Sequence, residues 1–439
     1  MTRTFIESSK IYIGIDIGTS GVRACAIDHS KTIQQICKAP LPSPQKQSNA
    51  ITQDANLWWQ ATESVLTELL KRIDPQTVKA ICVNGTSGTV LVTDSDGTPL
   101  APAHMYNDAS CSEQAELIKN IAPPESAAHG ASSGLAKLLY LHKQFPQAQH
   151  FLHQADWIVG KLCGRFNISD ENNALKTGYD PQQSRWPDWL DQLNINENLL
   201  PQIVSPGTAI ATVSSGLMNT LNLSPACQIV SGTTDSIAAF IATGANKPGD
   251  AVTSLGSTLV LKIISEQPVS APEFGVYSHK LGNLWLAGGA SNTGGAVLSH
   301  YFNPQKMHDL SALLQPQENT RLNYYPLLTP GERFPINDPN FAPRLEPKAN
   351  TELEFFQGML EGISRIEFEG YSKLQQLGAP FPSQVETAGG GSKNTHWIEM
   401  REAILGVPVK RAQFSEACYG SALLAMQGVN FGSELESMQ

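Results

Sequence analysis

Apolar residues run from Ile11 to Ile17 (IYIGIDI), interrupted only by Gly14 and Asp16, and this predicts a strand buried on both faces. A Gly-Thr-Ser-Gly turn follows. Val22, Ala24 and Ala26 then alternate with Arg23 and Cys25 in a second strand, and a third is expected over Thr32 to Ala39. Asp54 is a natural cap for a helix whose Leu57, Ala61, Val65, Leu69 and Ile73 recur every fourth residue on one face. Val78 to Asn84 is again continuously apolar, a buried strand ended by the turn Gly85 to Gly88.

The same order returns in the second half. Asp250 to Ile264 reads strand, Gly-Ser-Thr turn, strand; Asn283 to Gly289 is another strand, and Gly294 to Tyr301 begins a helix. The turn LGSTLV at Leu255 to Val260 echoes IGTSGV at Ile17 to Val22, so the pattern predicts an internal duplication, two related lobes facing each other across a cleft. Between the two patterns, Ala155 to Gly164 reads as a helix and Gly178 to Trp189 as a turn-rich aromatic stretch. Tyr301 to Asn350, polar and rich in proline, is expected to be an irregular surface excursion. A long helix is predicted from Glu352 to Leu377, with Phe356, Met359, Leu360, Ile363 and Ile366 inward and Gly378 as its stop. The chain then reads strand (Val385 to Ala388), glycine run (Gly389 to Gly391), helix (Asn394 to Leu405), short strand (Val407 to Arg411) and a last helix from Glu416 to Gln427.

At 439 residues such a chain holds two domains or three, and with 41% apolar and 16% charged residues it has the composition of a folded globular protein throughout. The formal net charge of −10, with basic residues scattered rather than clustered, argues against a nucleic-acid or anionic-membrane surface. An anionic small ligand would then be held by backbone amides and a metal ion. Seven cysteines without a CxxC pair read as reduced, buried thiols. Met1 to Lys10 lacks the apolar core of a signal peptide and no run of about 20 apolar residues occurs, so a cytoplasmic enzyme is expected.

Four glycine-rich turns stand at strand ends: Gly14 to Gly21, Gly232 to Asp235, Gly256 to Thr258 and Gly389 to Asn394. Taken singly, each reads first as a structural turn; together, with Ser or Thr beside the glycines, they offer backbone N–H groups to an anion. No GxxxxGK[ST], strand-to-helix GxGxxG or HExxH occurs, which disfavours P-loop, dinucleotide and zinc-protease chemistry, and the GxSxG at Gly130 to Gly134 follows no apolar strand, which weakens an esterase reading. Carboxylate chemistry remains. Asp16 in an apolar strand is costly unless it meets a cation or donors. Asp235 opens the helix SIAAFIATGA, where the helix field keeps it ionised; an ordinary first-turn carboxylate is the simpler reading, a base for a hydroxyl proton the functional one.

Taken together, YIGIDIGTSGVRACAID, SGTTDSIAAFIATGA, TSLGSTLVL and AGGGSKNTHWIEMREAILGVPV resemble the FGGY carbohydrate kinases, in order and spacing over nearly the whole chain. The resemblance implies an α/β fold of two duplicated actin-like (ribonuclease H-like) lobes with a central cleft: residues 1–242 as an N-terminal lobe with the sugar site, 243–415 as a C-terminal lobe with the nucleotide site, and 416–439 as a helix returning to the first lobe. It further implies that Asp16, Gly18, Thr19 and Ser20 form the first phosphate turn, Asp16 binding Mg²⁺ through water. Gly256, Ser257 and Thr258 would form the second, and Gly389, Gly390, Gly391 and Asn394 would hold adenosine; Trp397 is expected either to lie against adenine or to pack in the core of the helix from Asn394. Asp235 would be the catalytic base, and Asp16, Ser87 and Asp235 would contact the sugar.

The expected partners are ATP and a ketopentose, with the oligomeric state open between monomer and homodimer. Thr86-Ser87-Gly88-Thr89 replaces the Gln-Met-His-Gly of bacterial xylulokinases, Tyr106-Asn107-Asp108-Ala109-Ser110 lacks the arginine of a Trp-Asn-Asp-x-Arg element, and the Arg-Glu pair of glycerol kinase is not found. The chain most resembles the D-ribulose kinases, xylulokinase-like, of cyanobacteria and plants. That makes D-ribulose the expected acceptor and D-xylulose the alternative; an actin-like ATPase or sugar-responsive binding protein is the alternative of another class.

Overall fold

β1 (Ile11–Ile17) is buried along its whole length, and β2 (Gly21–Asp28), β3 (Ile33–Pro40) and β4 (Val78–Gly85) follow the predicted spans within a residue or two. The computed structural model describes residues 10–437, and side chains as far as residue 429; the N-terminal stretch read for a targeting signal lies outside the described residues but for Lys10. With β5 (Ala209–Thr212) and β6 (Gln228–Val230) these strands form a six-stranded sheet in the order β5-β6-β4-β1-β2-β3. β1 to β3 are antiparallel, whereas β4 runs parallel to β1 and β6 parallel to β4. Helix α1 (Ala55–Leu70) is capped by Asp54, whose carboxylate accepts from the Asn56 N–H, and buries Trp58, Val65 and Leu69 against this sheet's core.

The second sheet repeats the plan. β7 (Asp250–Leu255), β8 (Leu259–Ser265), β9 (His279–Leu281), β10 (Leu284–Ser291), β11 (Gln384–Ala388) and β12 (Val409–Arg411) are ordered β9-β10-β8-β7-β11-β12. Three antiparallel strands (β7, β8, β10) are again followed by two parallel ones (β11, β12), the arrangement of β1, β2, β3, β4 and β6. The duplication expected from the turn echo is therefore present as topology. By contacts the chain divides into residues 1–242 with 416–439, and residues 243–415.

The last helix of the first unit, Ala417–Ser437, packs on β1 through Gly14: a Cβ there would lie 2.0 Å from the Cys418 carbonyl and 2.2 Å from the Ala422 nitrogen, so only glycine admits the helix. In the second unit the long helix Glu352–Gln376 presents Phe356, Met359, Leu360, Ile363 and Ile366 to the core as predicted. Its Glu367 is fully buried and receives both Nε and a terminal nitrogen of Arg401, each at 2.6 Å, together with the Thr253 hydroxyl; Arg401 also donates to Thr387 Oγ1. This network ties helix, β7, β11 and the helix Thr395–Leu405 together with its polar groups paired.

The segment Tyr301 to Asn350 corrects the expectation of a surface excursion. It carries the helix Pro304–Ser311 and sends Leu310, Leu322, Tyr324, Tyr325 and Phe334 into the core. The buried Glu332 carboxylate makes this irregular path tolerable, accepting from Ser291 Oγ, Tyr325 Oη and the Asn292 N–H. The sequence reading also missed the helices Ser112–Ile121 and Gly134–Gln144 and a five-stranded sheet of short strands that includes Val90–Thr93 and His150–His153.

Candidate active site

Parallel pairing sets the first unit's polar residues side by side. Asp16 on β1 is in register with Asn84 on β4, Ile17 with Gly85, and Gly85 bridges Thr234 just beyond β6. The carboxyl ends of three neighbouring strands thus carry Asp16, Ser87 and Asp235 together, the end of a parallel sheet where ligands bind. Gly232 is what brings the third in: a Cβ there would sit 1.7 Å from the Val83 carbonyl, so the Gly232 to Asp235 turn lies directly on β4. Asn172 anchors that turn from the other side, its Nδ2 donating to Thr233 Oγ1 at 3.0 Å.

Several polar atoms here are buried without a partner: Asp16 Oδ1, Ser87 Oγ, Asn84 Oδ1 and Thr234 Oγ1. Leaving such a group unpaired costs about 1 to 3 kcal/mol each, which marks a place a ligand completes. Asp16 is 5% exposed, and burial first, then the Asp235 charge, pushes its carboxyl up to about 7; Glu416 adds to the rise, and Arg23 opposes it from 3.6 Å. Arg23 is half exposed and shared with Glu416 at 3.7 Å, so it neutralises little of three carboxylates. An orphaned carboxylate oxygen amid excess negative charge fits a divalent cation, which Asp16 could hold. Asp235 is half-buried and takes the Ser236 N–H on Oδ1 at 2.6 Å. In the turn after β1, the Gly18 N–H bonds to the Gly21 carbonyl at 3.0 Å, with Gly18 and Thr19 half-buried and Ser20 exposed.

In the second unit a pocket of about 1060 Å³ brings together Gly256, Ser257, Gly390, Gly391, Asn394 and Trp397; Thr258 and Gly389 are not among its lining residues. Two of these side chains also serve the fold. Trp397, though it lines the pocket, is 3% exposed and packed in the core, with its indole N–H donating to the Leu360 carbonyl and Ser364 Oγ, which favours the core reading over a stack on adenine. Asn394 caps its helix, Oδ1 accepting from the Trp397 N–H, while Nδ2 donates to Ser311, so the amide is fixed in place at the pocket wall.

Comparison with known proteins gives the family. The model of the FGGY carbohydrate kinases' N-terminal domain matches residues 11–242 and that of their C-terminal domain residues 251–428. The chain belongs to the FGGY family of carbohydrate kinases. Among curated relatives of this FGGY kinase, the xylulose kinase of Staphylococcus epidermidis is 23% identical over 448 residues, covering 98% of this chain and 90% of that protein. Among solved structures, a xyloylose kinase from Brucella ovis superposes with a TM-score of 0.86 at 24% identity (96% of this chain, 91% of that one), and a gluconate kinase from Lactobacillus acidophilus with 0.84 at 21% (97% and 90%). The fold is theirs, and the chain is an ATP-dependent carbohydrate kinase, an enzyme rather than a bare binding protein. No helix among the kinase's described residues is long and apolar enough to cross a membrane.

Sequence reasoning missed one wall of the kinase's second-unit pocket, which includes Met307, His308 and Ser311. The signal was there: Asn303-Pro304 is a helix start, and the Asn303 side chain caps the Lys306 N–H while proline takes the first position.

Proposed function

We propose that this kinase transfers the γ-phosphoryl group of ATP to the terminal hydroxyl, O5, of a ketopentose. The observation that carries the reading is the set Asp16, Ser87 and Asp235 at three adjacent strand ends, with Asp16 Oδ1 and Ser87 Oγ buried and unpartnered. Asp235 takes the O5 proton as that oxygen forms its bond to the γ-phosphorus, and the bond from phosphorus to the β,γ-bridging oxygen breaks to release ADP. Ser87 pairs with a sugar hydroxyl. Gly18, Thr19 and Ser20 donate to the phosphoryl groups from the first turn and Gly256, Ser257 and Thr258 from the second. Gly390, Gly391 and Asn394 frame the nucleoside beside the apolar wall of Leu298, Met307 and Phe356, and Gly389, at φ +82°, makes the turn that presents them. Mg²⁺, when bound by Asp16, supplies charge neutralisation that the chain's own cations do not.

D-Ribulose is the acceptor favoured by Ser87 and Gly88, a turn without bulky side chains. D-Xylulose is the second reading, favoured by relatives named xylulose kinase. The two sugars differ in configuration at C3 alone, and one hydroxyl contact separates such substrates by roughly ten- to a hundredfold in kcat/KM. A coupled ADP assay over pentuloses, hexuloses and polyols, with the phosphorylated product identified by mass, tests this: a ketopentose 5-phosphate is expected, and preferred turnover of a hexulose or glycerol would overturn it.

A further inference from the structure

Lys137 is fully buried, a rare state for a lysine, since removing an ammonium from water is unfavourable unless the protein replaces its hydration. It sits in the helix Gly134–Gln144, started by Ser133, whose Oγ accepts from the Ala136 N–H. Its Nζ donates to the Gly88 carbonyl at 2.8 Å and the Met105 carbonyl at 2.7 Å. Burial draws the ammonium down to about 8 and Lys176 pulls the same way, while Asp108 and Cys111 raise it, so it is protonated at neutral pH. His104, Asp108 and Cys111 gather here with ligand atoms within 4.8 Å of one another. Asp108 is nonetheless occupied, accepting from His104 Nδ1, the Ser110 hydroxyl and N–H, and the Ile51 N–H. The cation this acidic cluster faces is the protein's own.

The two carbonyls belong to the two segments that bound the Ser87 turn. Gly88 holds φ at +83°, and the turn is pinned elsewhere by Gln154, whose Oε1 accepts from the Thr86 N–H and hydroxyl, and by Thr89, whose Oγ1 accepts the Tyr106 N–H. Of the peptide that links Gly88 to Thr89, the N–H closes the turn onto the Thr86 carbonyl at 3.2 Å, and the carbonyl is held by Lys137 from outside the turn. Removing the ammonium would take from the Gly88 carbonyl its buried charged donor, so the loss of this lysine is felt first at the turn.

We propose that Lys137 is a positioning residue for the acceptor sugar: by tying the Gly88 carbonyl to the Met105 segment, it keeps the Ser87 hydroxyl aimed into the site. The inference rests on the reading of Ser87 as a sugar contact. Lys137 touches no substrate, and its effect falls on sugar binding and not on the nucleotide.

The test compares full-length wild type with Lys137→Met, Lys137→Gln and, as a destabilised control in the same helix, Leu141→Ala. Hydrogen bonds from a charged donor contribute enough that Lys137→Met should raise the ketopentose KM by about ten- to a hundredfold, with Lys137→Gln between and the ATP KM within about twofold of wild type. Amide exchange at Thr86 to Thr89 should accelerate in Lys137→Met beyond that in Leu141→Ala, while β1 stays protected. An unchanged sugar KM, or equal rises for sugar and ATP, overturns the proposal. If the wild type phosphorylates neither ketopentose, the functional reading fails by itself, and exchange at the turn still decides: acceleration no greater than in Leu141→Ala overturns the role of Lys137 as its anchor. Should Lys137→Met not fold, Lys137→Gln carries both measurements.

Discussion

Asp16 and Asp235 act on each other across the carboxyl ends of β1 and β6: after burial, the Asp235 charge is the largest influence raising the Asp16 carboxyl to about 7. Two acids so placed are set apart in role. The deeper one has its carboxyl raised by burial, while the half-buried one stands at a helix start and accepts the Ser236 N–H.

A pH-dependent stability follows. Because the folded Asp16 carboxyl lies above its ordinary range, the native state binds more protons than the unfolded state between about pH 4 and pH 7, and stability contributed by this group falls as pH rises through that window. About three pH units at 1.4 kcal/mol each make the penalty on the order of 4 kcal/mol above pH 7. Asp16→Asn should therefore raise the Tm of the metal-free protein at pH 8 and leave it nearly unchanged at pH 4, by calorimetry in EDTA. An equal shift at both pH values would contradict the assignment.

Arg401 and Glu367 form a doubly hydrogen-bonded pair with neither side chain exposed to solvent. Removing one partner strands the other, so Arg401→Met should destabilise by about 3 to 5 kcal/mol. Arg401→Met with Glu367→Leu should recover part of this. Denaturant unfolding checks both, and a single variant as stable as wild type would show that the pair holds nothing.

Trp397→Ala should act through the core. Truncating a buried tryptophan costs about 3 to 5 kcal/mol, and the loss should appear in unfolding measurements before it appears in nucleotide affinity. A tenfold rise in the ATP KM, on the order that lost base stacking gives, with unchanged stability would restore the stacking role that its packing argues against.

Legibility from sequence followed locality. The strand Ile11–Ile17 and the Asp54-capped helix were readable because period and cap lie within a few residues of each other. Asp16 and Asp235 were readable because a charge in an apolar strand and an acid at a helix start are local oddities. The helix carrying Lys137 was not, since GLAKLLYLHKQ buries Gly134, Leu135, Ala136, Lys137 and Leu138 in succession and shows no single apolar stripe. Strands such as Ala103–His104 are too short to alternate. The pairing of Gly85 with Thr234, which assembles the site, joins residues far apart in the chain that no local pattern connects.

The most direct test of the account is the turnover of Asp235→Asn with a ketopentose under saturating MgATP, beside its nucleotide affinity. A positioned base contributes roughly 10² to 10⁴-fold. The account predicts that wild type forms the ketopentose 5-phosphate and that kcat falls by about that factor in the variant, with MgATP bound as before. Near wild-type turnover by Asp235→Asn would contradict it.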